Sequence, residues 1–455
     1  YVITLDADTM MPIGTAKKLI GTLAHPLNRP VIHPDKNIVV EGYGLIQPRI
    51  IFDIESSNKT LFSRIFTGQE GFDPYAGAVS DIYQDLFGEG IFTGKGIYHL
   101  EVFQNILKDT IPENSVLSHD LIEGCFIRAG LATDIELVDS YPKNYSSFCA
   151  RLHRWVRGDW QLIPWLCRNV RDKYNNRIKN PISLISKWKI MDNMRRSLIA
   201  PALFLLIALG LTVFPGILPW VLIPLVVLGL PFIGSVISYI MSKPFTPYKI
   251  KQYQPVISGI KAAFLQAVLS FTFLPYQAYL MLHAITITLI RVFFSKKDML
   301  EWVTAADVEK RQKNSLESYW YKMKSSPILA FVLLILTLLF RPEVLGVSVI
   351  LALLWVAAPY IAYITSKTDT EGDVQLSQED ILELRRISRK TWRYFEEFAN
   401  HKNNFLPPDN YQEEPPNGIA YRTSPTNIGL GLLSALSARD FGYISTSEMV
   451  DLISN

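Results

Sequence analysis

Hydrophobic and polar positions divide this chain into stretches of different rhythm. Over residues 1–150, short apolar runs (Val2–Leu5, Ile38–Val40, Tyr43–Gln47, Ala132–Val138) alternate with helical spacing at Thr15–Leu23 and Asp120–Ala129. Pro and Gly punctuate the joins, and the pattern predicts a mixed α/β domain. From Arg151 to Arg196 the chain turns basic and aromatic, with Trp155, Trp160, Trp165 and Trp188 among the arginines. Two long apolar runs follow, Leu198–Phe214 and Ile217–Met241, parted only by Pro215-Gly216. Each approaches the ~20 residues needed to cross a hydrocarbon core, so a helical hairpin is expected. A second pair, Ile328–Phe340 and Val344–Ile364, is joined by Arg341-Pro342-Glu343. Between the pairs, 260–294 is interrupted by Phe273-Leu274-Pro275-Tyr276-Gln277, and reads as one span plus a surface helix or as a re-entrant hairpin. The tail begins with an N-cap box, Ser377-Gln378-Glu379-Asp380, before the amphipathic run Ile381–Phe398. A polar, aromatic, Pro-rich loop (Phe405–Asn410, Tyr421–Asn427) then leads to a second helix, Ile428–Ala438.

These rhythms set four expected regions. Residues 1–165 form an α/β domain, 166–197 basic interfacial helices, 198–365 a helical transmembrane region, and 366–455 a linker with the start of an all-α domain. A length of 455 residues leaves room for two to four domains. The 49% hydrophobic content and mean hydropathy of +0.16 suit a chain partly embedded in lipid. Net charge is only +3, and no nucleic-acid partner is expected. If each apolar pair is a hairpin, the basic segments 151–196, 243–251 and 296–324 share one side. The positive-inside rule puts that side, with the α/β domain, in the cytoplasm, and Arg341 in the far loop is a minor exception. Cys125, Cys149 and Cys167 have no paired spacing, so neither a disulfide framework nor a zinc site is expected. From the strand-first start without Met, the chain is expected to be a piece of a longer protein.

Chemistry enters at the first strand, where Val2–Leu5 runs into Asp6-Ala7-Asp8. Two carboxylates with one residue between them, at the exposed end of a buried strand, can share a divalent cation and meet the diphosphate of a sugar nucleotide. The bland alternative, which an isolated D-x-D favours, is an ordinary Asp-rich turn. Asp120, in Ser118-His119-Asp120-Leu121-Ile122-Glu123-Gly124, sits at a helix N-terminus as a cap or as a general base for a sugar hydroxyl. Gly90-Ile91-Phe92-Thr93-Gly94-Lys95-Gly96 offers small residues where a sugar could approach the backbone. In Arg151-Leu152-His153-Arg154-Trp155, helical spacing sets Arg151, Arg154 and Trp155 on one face. There they either hold a diphosphate and stack on an acceptor sugar, or snorkel at a membrane surface.

Taken in order, D-x-D, a lone Asp about a hundred residues on, R-x-x-R-W and membrane spans resemble the processive family-2-like glycosyltransferases, which include cellulose and hyaluronan synthases. In detail, Gly88–Tyr98, Leu117–Gly124, His153–Leu162, Leu300–Ala306 and Arg422–Leu430 are similar to the cyclic β-1,2-glucan synthases, over essentially the whole chain. That resemblance implies the C-terminal part of a GT-A glycosyltransferase domain, then transmembrane helices, then the start of a glycoamylase-like domain. It implies a multi-pass inner-membrane enzyme, catalytic and C-terminal domains cytoplasmic, that inverts glucose from UDP-glucose onto a growing β-1,2-glucan chain. By it, Asp6 and Asp8 bind Mg2+ or Mn2+ and UDP, Asp120 is the base, and Arg151, Arg154 and Trp155 bind nucleotide and acceptor. A phosphorylase-like domain of the same polypeptide and a glucan exporter are implied partners. The uridine-binding first half of the GT-A domain would precede Tyr1, so the piece by itself is expected to be inactive.

The chain departs from cellulose synthases at His119, where they carry Glu, and at Arg151, where they carry Gln. Other readings are a transferase of different linkage or lipid acceptor, a polysaccharide-export component, and a hydrolase centred on the tail. The near absence of intramembrane charge weighs against export, and Asp409, Glu413 and Glu414 read as solvated acids.

Overall fold

The computed structural model describes residues 1–67, 82–241, 250–301, 314–368 and 376–454. Trp302–Ala306 and parts of the basic segments 243–251 and 296–324 lie outside them. The chain divides into two compact units, Tyr1–Asp369 and Thr370–Asn455.

The first unit is mixed α/β followed by apolar helices. Its main sheet has four strands, β1 (Val2–Thr4), β2 (Leu45–Phe52), β3 (Gly96–Tyr98) and β4 (Ala129–Asp139), in the order β1-β3-β2-β4. β3 is antiparallel to both β1 and β2, while β2 and β4 run parallel. Alternation along β2 explains its central place. Leu45 packs with Ile106, Ile122 and Phe126 on one face, and Ile46 with Leu19, Ile97 and Ile135 on the other. Pro48 has no N–H for the ladder, and the β2–β4 register shifts there, from Pro48 opposite Ala132 to Arg49 opposite Glu136. β1 is a half-buried edge strand rather than the buried strand its composition predicts, because it pairs on one side only.

Helix α1 (Thr15–Ala24) covers one face through Leu19 and Leu23, and α2 (Asp120–Ile127) the other. Helix α3 (Tyr145–Gln161), capped by the Asn144 side chain on the Ser147 N–H at 2.8 Å, leads away from the sheet.

Residues 166–197 differ from the expected run of interfacial helices. Asn169–Arg171 pairs with Arg177–Lys179 in a hairpin whose turn is closed by the Asp172 carboxylate, accepting from the Asn176 N–H at 2.8 Å. Asn175 occupies the left-handed region at φ 68°, a conformation Asn tolerates better than most residues. Polar turn chemistry thus overrides the basic, aromatic composition. From Ser183, whose hydroxyl accepts the Ser186 N–H, the chain enters α4 (Leu184–Thr212), which begins fourteen residues before the expected span.

Beyond α4 lie α5 (Ile217–Met241), α6 (Ile250–Thr272), α7 (Leu274–Ile290), α8 (Ser325–Phe340) and α9 (Leu345–Thr365). Among the described residues, four helical stretches are long and apolar enough to cross a membrane: Leu184–Thr212, Ile217–Met241, Leu274–Ser295 and Pro342–Thr365. A fifth is reached if Leu316–Lys322 and α8, which meet at a 54° bend, form one span. The ambiguous region is two helices broken at Phe273. Only its second half passes by length, while Gly259–Thr272 is shorter. Arg341 has a structural explanation. Its guanidinium donates to the carbonyls of Gly210, at 3.1 Å, and Phe214, so it caps the C-terminal end of α4 and joins the two short loops.

The α/β part is fixed to the apolar helices in two ways. Tyr145 and Cys149 of α3 pack with Phe273, Tyr276, Tyr319 and Ala358. Lys189 of α4, 3% exposed, donates to Glu89 Oε1 at 3.0 Å and to the Gly90 carbonyl at 2.9 Å.

In the second unit, α10 (Gln378–Phe398) starts at a complete capping box of Ser377 and Asp380. It packs through Trp392 on Ala435 and Ala438 of α11 (Pro425–Asp440), and α12 (Thr446–Ser454) follows. The expected loop contains a hairpin, Asn410–Gln412 with Gly418–Ala420. Asp409, expected to be solvated, accepts from Arg422 at 2.9 Å and Asn427 at 3.2 Å.

Because Lys189 is the buried counter-charge of Glu89, Lys189→Met should leave that carboxylate with only the longer Arg128 contact at 3.9 Å and cost about 3 kcal/mol. Thermal unfolding in detergent should show the loss, with Lys189→Met, Glu89→Gln recovering part of it.

Candidate active site

The site forms where β1, the loop before β3, the end of β4 and the N-terminus of α2 meet. Asp6, Ala7 and Asp8 follow β1 in a turn closed by the Thr9 N–H on the Asp6 carbonyl at 3.1 Å. That turn is tied to β4 by reciprocal bonds between Met10 and Val138, and by the Thr9 hydroxyl on Asp139 Oδ1 at 2.6 Å. Both acids are exposed.

Beneath them lies Lys95, 5% exposed, from the Gly94-Lys95-Gly96 loop. Its ammonium donates to the buried Asp139 carboxylate and reaches Asp6 Oδ2 at 3.0 Å. The loop is held by the buried Gln47 side chain, whose oxygen accepts from the Thr93 N–H at 2.9 Å. Gly96 has no room for a side chain, since a Cβ would fall 2.2 Å from the Ile46 carbonyl oxygen. At Gly94 (φ +91°) a Cβ would lie 2.8 Å from Asp120 Oδ1, so the glycine lets the loop press directly on that carboxyl.

Asp120 is the first residue of α2, with His119 in the cap position. Its carboxyl therefore is not the cap. It accepts from the Ser118 hydroxyl at 3.0 Å. Burial, and then the negative charge of Asp6, push its pKa up, against the pull of Ser118, His119 and Lys95. One turn on, burial and the Asp120 charge push Glu123 up to about 7.

Helix α3 supplies the cations. Arg154 faces Asp6, Asp8 and Asp120, whose charges partly offset the effect of its burial and of neighbouring Arg151. Arg151 lies over the Trp155 ring at 4.7 Å. Asp8, Arg151 and Arg154 line a cavity of about 910 Å³ that continues to Tyr276, His283 and Arg291. Trp155 does not line it; the ring is 41% exposed. Further along this cavity, His153 Nε2 and His283 Nδ1 stand 3.0 Å apart. Burial and the neighbouring Arg157 lower His153 to about 4, so its ring is neutral near pH 7.

Among the described residues, no group of three or more His, Cys, Asp or Glu side chains could hold a metal. Asp6 and Asp8 still offer two hard oxygen donors. They fit Mg2+ or Mn2+ if a diphosphate and water complete the shell, as small hard cations commonly require.

The turn after β1 therefore brings Asp6 and Asp8 to the same place as Asp120 and Arg154. Sequence reasoning missed Lys95, Asp139 and Glu123, though two of them lie inside motifs it quoted: a Lys between two close-packed glycines, and a Glu one turn after Asp120. Asp139 carried no signal.

No protein-family model matches the chain. Over 455 residues, covering 99% of this chain, it is 43% identical to the cyclic beta-(1,2)-glucan synthase NdvB of Rhizobium meliloti (strain 1021). The chain is a cyclic β-glucan synthase homologue. It spans 16% of that protein's length.

Glu123 gives the homologue a pH-dependent stability. A carboxyl raised from 4.5 to about 7 favours the fold most below pH 4.5 and loses that advantage as pH climbs through about 7. Glu123→Gln should remove this dependence, on the order of 3 kcal/mol across the window. Melting temperatures of the two proteins should converge at low pH and separate, with the variant higher, near pH 8.

Proposed function

We propose that the parent protein is a membrane-bound inverting glucosyltransferase that builds β-1,2-glucan from UDP-glucose, and that residues 1–165 are the C-terminal part of its GT-A domain. The observation that carries this reading is that the charges of Asp6, Asp8 and Asp120 all act on Arg154, which with Asp8 lines the cavity beside α3. Acids alone would suit many sites. Acids set against an arginine, in a glucan-synthase homologue, suit a diphosphate beside a proton acceptor.

Asp6 and Asp8 would hold Mg2+ or Mn2+, which when bound offsets charge on the departing diphosphate. Lys95 fixes Asp6 for that task. Arg154, with Arg151 behind it, binds the phosphates. The acceptor 2-hydroxyl gives its proton to Asp120 as its oxygen forms a bond to the glucose anomeric carbon. The bond from that carbon to the diphosphate breaks on the opposite face, and UDP leaves with the electron pair. One displacement inverts the anomeric centre. The raised pKa of Asp120 makes its carboxylate a stronger base than an exposed one, and Lys95 and His119 keep a share of it ionised. Trp155, exposed beside Arg151, offers a face for the acceptor sugar.

In this reading the bilayer receives the apolar helices. Their short loops, joined through Arg341, face away from the cytoplasm, and the α/β part faces it. The second unit is the start of a glycoamylase-like domain, and the parent's phosphorylase-like domain and a glucan exporter act after synthesis.

In membranes containing the full-length protein, Asp120→Asn should lower UDP-glucose consumption by about 10²–10⁴ while retaining UDP binding. Wild-type-like synthesis by that variant overturns the assignment. Linkage analysis of the wild-type product decides between β-1,2-glucan and any other polymer.

A further inference from the structure

Beside α2, one turn from Asp120, lies a second cavity, of about 400 Å³, that the transfer step above does not use. This is within the size range of small-molecule sites. Its apolar wall is Phe103, Leu107, Ile111 and Pro112, and its polar rim is Glu113, Asn114, His119 and Glu123. Phe103 is backed by Tyr98, with ring centroids 4.6 Å apart and nearly parallel planes. Asn114 sits at the rim in the left-handed region, φ 56°. Among the described residues, no side chain donates a hydrogen bond or ion pair to the half-buried Glu123 carboxyl.

We propose that this cavity is a saccharide subsite, with Phe103 as the stacking face and Glu123, Asn114 and His119 as partners for sugar hydroxyls. A pyranose presents an apolar C–H face and a ring of groups that both donate and accept. The wall and rim match those two characters. The carboxyl accepts, the amide does both, and imidazole supplies whichever role its tautomer allows. A cation fits poorly, because no group of three metal-type ligands converges here. A purely apolar guest would leave Glu123 without a partner, at a cost that a hydroxyl donor removes. The place of the cavity gives the ligand its role. Glu123 stands one turn from Asp120 on the same helix, so a glucan chain whose terminal unit meets Asp120 has a further unit within reach of the cavity. That role rests on the transferase reading above; the saccharide chemistry of the cavity does not.

Titrating the full-length protein in detergent with a β-1,2-linked glucotriose by calorimetry tests the subsite. Glu123→Gln and Asn114→Ala should each weaken binding about tenfold, and Phe103→Ala more. If Phe103→Ala fails to fold, the exposed Asn114 position still decides. Unchanged affinity in both Glu123→Gln and Asn114→Ala overturns the subsite. Binding that depends on these residues in a protein that consumes no UDP-glucose keeps the subsite and defeats the transferase reading. UDP-glucose consumption with variants that bind the trisaccharide like wild type does the reverse.

Discussion

A buried ammonium holds this site together. Lys95 carries its charge almost out of water and is tolerable there only because Asp139 at the end of β4 and Asp6 after β1 accept it. Those two carboxylates come from opposite edges of the sheet, so one side chain fixes the position of the D-x-D turn relative to both. A buried pair of this kind adds little net stability compared with an apolar replacement, yet breaking it from one side costs several kcal/mol. Its value is therefore positional. The glycines on either side follow from it. Lys95 reaches both acids only if the loop lies against β2 at Gly96 and against Asp120 at Gly94, where a side chain would collide.

Helix α3 transmits this arrangement to the apolar helices. One side of it presents Arg154 to the acids, with Arg151 beside it. The same helix buries Tyr145 and Cys149 against Phe273 and Tyr276, and Val156 against Met281 and Ile285. Lys189 of α4 adds a second attachment, bonding Glu89 and Gly90 at the root of the loop that ends in Lys95. The D-x-D turn, the glycine loop and the arginine helix are thus each one or two contacts from a membrane-type helix. A displacement of α4 or α7 would reach the site through packed side chains rather than through a flexible linker.

Much of this was legible in the sequence. Strands and helices of the α/β part follow from period-two and helical spacing, and the long apolar helices from run length. The capping box at Ser377 is a local rule obeyed locally. What failed was composition used in place of turn chemistry. Arginines and tryptophans over 166–197 suggested surface helices, but Asp172 and Asn175 close a hairpin whatever flanks them. Lys95 and Asp139 stayed hidden for another reason. They are 44 residues apart, and only the β3-β2-β4 strand order brings them together; no periodicity encodes that order.

The two carboxyls of α2 show why proximity alone does not assign a role. Asp120 and Glu123 are a turn apart and both are raised, the Asp120 charge acting on Glu123, yet their surroundings divide them. Asp120 meets Lys95, His119 and the Ser118 hydroxyl, which favour its charged form against burial and the Asp6 charge. Glu123 has burial and the Asp120 charge acting on it, both of which favour the neutral form. The Asp120 charge opposes ionisation of Glu123, so the helix carries one negative charge more readily than two. Protonated Glu123 can donate as well as accept, which suits a hydroxyl partner, while ionised Asp120 can only accept, which suits a base. The division is set by which neighbours each carboxyl meets, and those neighbours are placed by the loop that Lys95 anchors.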